Sequence, residues 1–402
     1  MNIKRLVLGT AAGALAVTGA QAADLPVVVE PVDYVRICDA AGTGHFYIPG
    51  TETCMNIRTR VRTDYNLYFD FDEWGDPNFY DGDVDDRLYR FRARGYVRTS
   101  TITQTEFGQL TTFVDIFVTK DSAARGGGGA NAAEVELDSA LIQLGGLILG
   151  RFATTFGSGE GIYTIEQTFD LGNNTGQVNQ IAYQFDFGNG FGVQVALEDT
   201  TEHRSFIGNG TYGGAHIPDI VGKVYVDQGW GSAFLSGAGH FINARNFFGV
   251  SDEQYGFAVA GGVEVNVPFG NGTRIGVQGG YALGAQDYIN DGMTSSYFGR
   301  NPDAIFDGND LEMGNFWAVA GGIGTSFTPT VSAALGAGWT YADYDVAGFP
   351  DVSNINVQGS IGWTPVSGLL FALGAEYRYI DQTDGFNDGS LLTTFFRAQA
   401  EF

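Results

Sequence analysis

Between Asn354 and Trp363 the side chains change character at every step. Ile355, Val357, Gly359, Ile361 and Trp363 fall on one side of an extended chain; Asn354, Asn356, Gln358, Ser360 and Gly362 fall on the other. Strand side chains point alternately to two faces, so this period predicts a strand with one apolar and one polar face. The pattern recurs: Ile275, Val277, Gly279, Tyr281 and Leu283 oppose Arg274, Gly276, Gln278, Gly280 and Ala282. Val331 to Tyr341 alternate against Ser332 to Thr340, and Leu369 to Tyr379 against a set that includes Glu376 and Arg378. Strands of soluble sandwiches usually have about 5–6 residues. These run to about ten or more, the length of tilted strands that cross a bilayer.

Turn spacing gives the strand number. Short turn signals occur at Thr105–Gly108, Gly145-Gly146, Gly188-Asn189-Gly190, Gln228–Gly231, Gly270-Asn271-Gly272, Thr328-Pro329-Thr330 and Pro365–Gly368. Gly and Asn supply the positive φ that tight hairpins need. Between them lie longer polar stretches: Asp70–Asp86, Lys120–Ala133, Thr154–Gln177, Thr200–His216, Asn243–Gln254, Gln286–Met313, Ala342–Asp351 and Asp381–Ser390. Seven short turns make eight hairpins and sixteen strands. The expected fold is an all-β, antiparallel transmembrane barrel with short periplasmic turns and long extracellular loops. Closure is required because an open sheet edge has no hydrogen-bond partners in lipid. Sixteen strands leave a lumen too wide for side chains to fill, so it holds water. Phe191, Phe269, Phe327 and Trp363 beside the turns, with Tyr341, Tyr377 and Tyr379 toward the other strand ends, suit two interfacial aromatic girdles.

The first segment sets the compartment. Lys4 and Arg5, the apolar stretch Leu6–Val17 and the A-x-A site Ala20-Gln21-Ala22 read as a secretory signal peptide over residues 1–22. Its removal takes the formal net charge from −25 to −27, because it carries two cations and no acid. So acidic a chain is expected to repel nucleic acid. With 44% hydrophobic and 14% aromatic residues it is not a disordered polymer, and its 60 glycines lack the period of collagen. Beyond the signal there is no run of about 18 apolar residues, so no spanning helix is expected. Residues 23–54 read as a lead-in and 55–402 as the barrel.

The last strand places Phe396, Ala398, Ala400 and Phe402 opposite Arg397, Gln399 and Glu401. A terminal Phe402 on such a strand resembles the assembly signal that outer-membrane barrels present to their insertion machinery. Upstream, YVRICDA and FYIPGTETC within residues 32–62 resemble the start of the alphaproteobacterial porins of Brucella and its rhizobial relatives. That resemblance implies a sixteen-stranded barrel in the Gram-negative outer membrane among lipid and lipopolysaccharide. It also implies a homotrimer and passive, general diffusion of small hydrophilic solutes and ions.

Cys38 and Cys54 are the two cysteines, and in an oxidising periplasm they are expected to pair. Closing a loop of this size contributes about 3 kcal/mol in the chain-entropy picture. The basic residues are unevenly placed. Arg58, Arg60 and Arg62 alternate with apolar or small partners, as do Arg90, Arg92 and Arg94, with Arg98 on the same face. One Arg at the lipid midplane costs roughly 2–4 kcal/mol, so parity aims this ladder into the lumen. In trimeric porins the third long loop folds inward and narrows the channel. Carried over by position, Glu160, Glu166 and Asp170 of the constriction loop at about 154–177 face the ladder. Opposed rows of charge would set up a transverse field that selects solutes.

Other motifs carry less. The acid-rich stretches Asp70–Asp86 and Asp381–Asp388 lack the EF-hand pattern, and Gly126–Gly129 lacks the Lys and Ser/Thr of a phosphate loop. His45, His203, His216 and His240 share no ligand spacing, so neither metal nor cofactor is expected. No G-x-S-x-G elbow is present, and no enzymatic activity is expected. The competing readings are a substrate-specific channel, which would need lumenal aromatics, and a closed adhesive barrel. Small inward residues such as Gly276, Gly280, Gly336 and Gly338 argue for an open interior.

Overall fold

The structure, a computed structural model, describes residues 36–70, 89–122, 133–157, 177–289, 301–383 and 388–402. The strands belong to one unit, Cys38–Phe402. Sixteen of them, among the described residues, make the wall. They are β1 (Cys54–Asp70), β2 (Tyr89–Thr105), β3 (Gly108–Asp121), β4 (Glu134–Leu144), β5 (Leu147–Ala153), β6 (Gln177–Gly188), β7 (Phe191–Glu198) and β8 (Asp219–Gln228), followed by β9 (Gly231–Asn246), β10 (Ser251–Asn266), β11 (Asn271–Leu283), β12 (Asn315–Thr328), β13 (Val331–Asp343), β14 (Val352–Val366), β15 (Leu369–Gln382) and β16 (Gly389–Glu401). Each pairs antiparallel with the next. β16 returns to β1, from Arg60↔Glu401 to Asp70↔Leu391, and closes the barrel. The closure removes the sheet edge that lipid would leave unpaired.

The alternation sorts the two faces. On β14, Asn354 and Asn356 are 0% and 1% exposed, while Ile361 and Trp363 are 48% and 51% exposed. A water-soluble sheet would reverse this, since exposed apolar area costs about 25 cal/mol per Å² in water. The inversion suits an outer face in lipid and a polar interior. Near the loop end Phe257, Tyr281, Trp317, Tyr341 and Trp339 form a continuous outward aromatic row across β10–β13, with successive centroids 5.4–5.9 Å apart. Phe191, Phe269, Phe327 and Trp363 are exposed at the turn end.

The turns fall where the glycines and asparagines require. In the β6–β7 turn Asn189 and Gly190 have φ of 53° and 79°. A Cβ on Gly190 would lie 1.7 Å from the Asp227 carbonyl oxygen, so both conformation and space demand glycine there. One expectation needs correction. The stretch Asn243–Gln254 is mostly strand: β9 and β10 continue through it, and only Phe247–Val250 turn. Strand length is uneven, since β5 has seven residues and β7 eight, against seventeen in β1 and β2.

The structure places the cysteine loop. Cys38 and Cys54 are bonded with Cα atoms 5.9 Å apart, within the usual disulfide span. Phe46–Tyr47 pairs with Cys54–Met55 at the turn end of β1. The Asn56 amide donates to the Gly44 carbonyl at 2.9 Å, holding the loop to the inner face.

Two loops are built into one another. L4, between β7 and β8, and L6, between β11 and β12, share a small sheet. In it Ile207–Gly208 of L4 runs parallel to Ala304–Ile305 of L6, which turns back on Asp310–Met313.

Candidate functional site: the charged inner wall

The inner face of β1 and β2 carries the arginine ladder, flanked by β3 and β16. Cross-strand register pairs Arg58 with Arg98, Arg60 with Tyr96, Arg62 with Arg94, Asp64 with Arg92 and Asn66 with Arg90. The residues between them, Ile57, Val61, Phe91 and Val97, are exposed on the outer face. All seven arginines, Arg58, Arg60, Arg62, Arg90, Arg92, Arg94 and Arg98, therefore share one inward surface.

Such a concentration of cations would repel itself if the wall carried no acids. The wall supplies them from adjacent strands. Arg60 donates to Glu401 at 2.8 Å and Arg92 to Asp121 at 2.7 Å. Arg98 pairs with Asp115 and lies 4.0 Å from Glu401. Fully buried Asp64 takes Arg62 on one oxygen and Arg397 of β16 on the other, both at 2.6 Å. Arg94 is held differently: it donates to the Thr119 hydroxyl at 2.7 Å and lies 4.2 Å from the Phe117 ring centroid. The Tyr96 ring lies 5.3, 5.9 and 5.5 Å from the guanidinium carbons of Arg60, Arg94 and Arg98. Aromatic faces attract cations and keep the forks in fixed planes. Among the described residues, Arg58, Arg90 and Arg94 have no carboxylate within ion-pair distance. The expectation that the opposing acids come from a loop thus misses Asp64, Asp115, Asp121 and Glu401. They sit on the same inner parity of neighbouring strands, and sequence separation hides that adjacency. Glu160, Glu166 and Asp170 themselves lie outside the described residues.

Further round the wall, the start of the third loop (L3, which leaves β5) turns onto the barrel. The Thr154 hydroxyl and the Thr155 amide donate to Glu198 at 2.9 and 2.7 Å. The Lys223 ammonium donates to the Gly157 carbonyl at 2.9 Å. Phe156 is fully buried in the apolar cluster that holds Ala182, Ala196, Val221, Ala238, Ala258 and Ala282. These small inward residues do not simply leave space. A Cβ on Gly280 would come 2.8 Å from the Ile289 side chain of L6, so this part of the wall is small because a loop packs on it.

The structure also gathers histidines that look scattered in sequence. His203 of L4 and Glu198 lie 2.7 Å apart, and His240 and Asp219 2.8 Å apart. Tyr288 of L6 donates to the same Asp219 oxygen at 2.8 Å and stacks on His203 with centroids 4.0 Å apart. Burial pulls the His203 pKa down, but the Glu198 hydrogen bond and charge, with Asp287 and Asp219, leave it raised. Burial and the Asp219 charge push the Tyr288 phenol well above its ordinary value. Among the described residues no group of three His, Cys, Asp or Glu could hold a metal ion. Phe402 lies at the barrel's turn end, its amide and carbonyl paired with Thr59 at 3.0 and 2.8 Å.

Comparison with known proteins gives a consistent answer. Residues 24–399 match the porin subfamily. The chain is 32% identical over 342 residues to porin Omp2b of Brucella suis, covering 80% of each. Against porin Omp2b of Brucella neotomae it is 32% identical over 352 residues, covering 85% of this chain and 91% of that one. Among solved structures, the outer membrane channel DcaP of Acinetobacter baumannii superposes with a TM-score of 0.70 at 18% identity, covering 89% of this chain and 99% of that one.

Proposed function

This chain belongs to the porin subfamily, and from that membership we propose that it is a general diffusion channel of the Gram-negative outer membrane, passing small hydrophilic solutes and ions without catalysing a reaction. The observation that carries the reading is a closed barrel whose outer face is apolar and whose inner face is lined by ion-paired arginines. Polar solutes in such a lumen keep their hydration while the protein satisfies its own charges.

In this reading the signal peptide of residues 1–22 directs export, and Phe402 presents the last strand to the barrel-assembly machinery. The mature protein works as a homotrimer among lipid and lipopolysaccharide. Glu160, Glu166 and Asp170 of L3 oppose the arginine row and narrow the channel. The inward course of Thr154–Gly157 supports this placement. Glu401, Asp121 and Asp115 balance Arg60, Arg92 and Arg98, whereas Asp64 is shared by Arg62 and Arg397; that triad, with Arg58, Arg90 and Arg94, leaves the face net cationic.

The test is conductance of the refolded protein in a planar bilayer under a salt gradient. The expected record is large stepwise openings in groups of three. A folded, heat-modifiable barrel that gives no openings would overturn the diffusion reading. Saturation of current by one solute class would transfer the protein to the substrate-specific channels.

A further inference from the structure

Tyr288 stands where four parts of the molecule meet. Its hydroxyl is bonded to Asp219 at the loop end of β8, and its ring stacks on His203 of L4. The same ring packs against Phe156 of L3, with centroids 5.0 Å apart. L6 leaves the barrel at β11, so reaching Asp219 carries it across the inner faces of β10 and β9. Ala238, Ala258, Ala260 and Ala282 make that crossing flat, and Ile289 fills the notch left by Gly280. Larger side chains on those strands would hold the loop out of the lumen.

L3 is fastened to the same point. Glu198 accepts from Thr154 and Thr155 of L3 and pairs with His203, which Tyr288 covers. L4 is tied to L6 a second time through Asp303, which accepts from the Ser205 amide at 2.8 Å and the Tyr212 hydroxyl at 2.6 Å. Truncating Tyr288 removes its contacts with L3, L4 and β8 at once, and no local shift replaces them, because the surrounding alanines are too short to fill its place.

We propose that Tyr288 is a positioning residue of the channel: it holds L6 against the inner wall and braces the first turn of L3, so that the size limit of the pore is set by the two loops together. This rests on the reading that L3 narrows the channel. It assigns to L6 a share of the narrowing that loop order alone gives to L3.

The test compares full-length Tyr288→Ala and Tyr288→Phe with the wild-type protein, with heat-modifiable migration checking the fold. Single-channel conductance is measured beside liposome swelling in neutral sugars of graded size. Tyr288→Ala should raise conductance by at least about 1.5-fold and admit larger sugars, because the lumen's narrowest section loses its support. Tyr288→Phe keeps the ring contacts and loses the tie to Asp219, and should give a smaller rise. The reversal potential should move toward anions in Tyr288→Ala and less in Tyr288→Phe, because the L3 acids draw back while the arginine row stays in place; general distortion of the barrel would also change the heat-modifiable migration. If Tyr288→Ala does not fold, Tyr288→Phe decides. Limited proteolysis of L3 and L6 is measured in parallel and should be faster in the variants. Wild-type conductance, size limit and proteolysis in a folded variant would overturn the proposal. A wild-type protein that forms no channel would instead sink the diffusion reading, and the brace would then stand or fall on proteolysis alone.

Discussion

Asp64 shows how tightly single residues are bound into this wall. It is fully buried and holds Arg62 of its own strand and Arg397 of the last strand. Removing one partner of a buried pair costs about 3–5 kcal/mol, because the other charge is left uncompensated. Asp64→Ala strands two arginines, so it should lower the unfolding temperature read by gel mobility, and an unchanged midpoint would deny Asp64 this role. The exposed faces of the row have the opposite profile: they matter to permeating ions more than to the fold. Neutralising Arg90, Arg92 and Arg94 together should shift the reversal potential toward cations. Part of that shift comes from Asp121, released when its Arg92 partner goes. That these arginines face inward was legible from parity alone. Their partners were not, since Arg397 and Asp64 are 333 residues apart and become neighbours only through closure.

At the scale of elements, the strands follow from two-residue alternation and the hairpins from glycine and asparagine, so both could be read directly. The joint between L4 and L6 could not. It depends on His203, Tyr288, Asp303 and Tyr212, which have no periodic relation, and on short strands that pair in parallel across nearly a hundred residues. This joint should respond to pH. Burial pushes the Asp303 carboxyl from 3.8 up to about 6, although the His240 charge, the Tyr212 hydroxyl and the Ser205 amide oppose the shift and only Asp287 adds to it. Among the described residues its Oδ1 has no hydrogen-bond partner, which leaves a place for the proton. A carboxyl with a raised folded pKa weakens the folded joint above that value and relieves it as pH falls through about 6. His203 has a raised folded pKa too, and its stabilising contribution is full below the ordinary 6.5 and lost as pH rises through the folded value. Both groups therefore tighten the joint in mild acid. Amide exchange in residues 199–218 and 301–313, corrected for intrinsic rate, should be slower at about pH 5 than at about pH 8. Asp303→Asn should flatten that difference, and an equally steep profile in the variant would rule Asp303 out as a source.

For the whole molecule, the amino-acid sequence by itself determined the class of solvent. Long alternating strands with aromatic ends and a polar second face can bury their backbone groups in lipid only as a closed barrel, and the turn spacing fixed the number of strands. It also determined the sign of charge on one sector of the lumen, because parity is a property of the local chain. What only the tertiary structure decided is how that lumen is furnished: which carboxylates pair with the ladder, that inward alanines and Gly280 seat a loop, and that His203 and the Asp219 partner of His240 both meet Tyr288 of L6. The physical reason is the range of the forces involved. Alternation and turn chemistry act over a few residues and are written in order along the chain. Ion pairing and loop packing act across hydrogen-bonded neighbours and across the barrel, and those adjacencies exist only once the last strand has met the first.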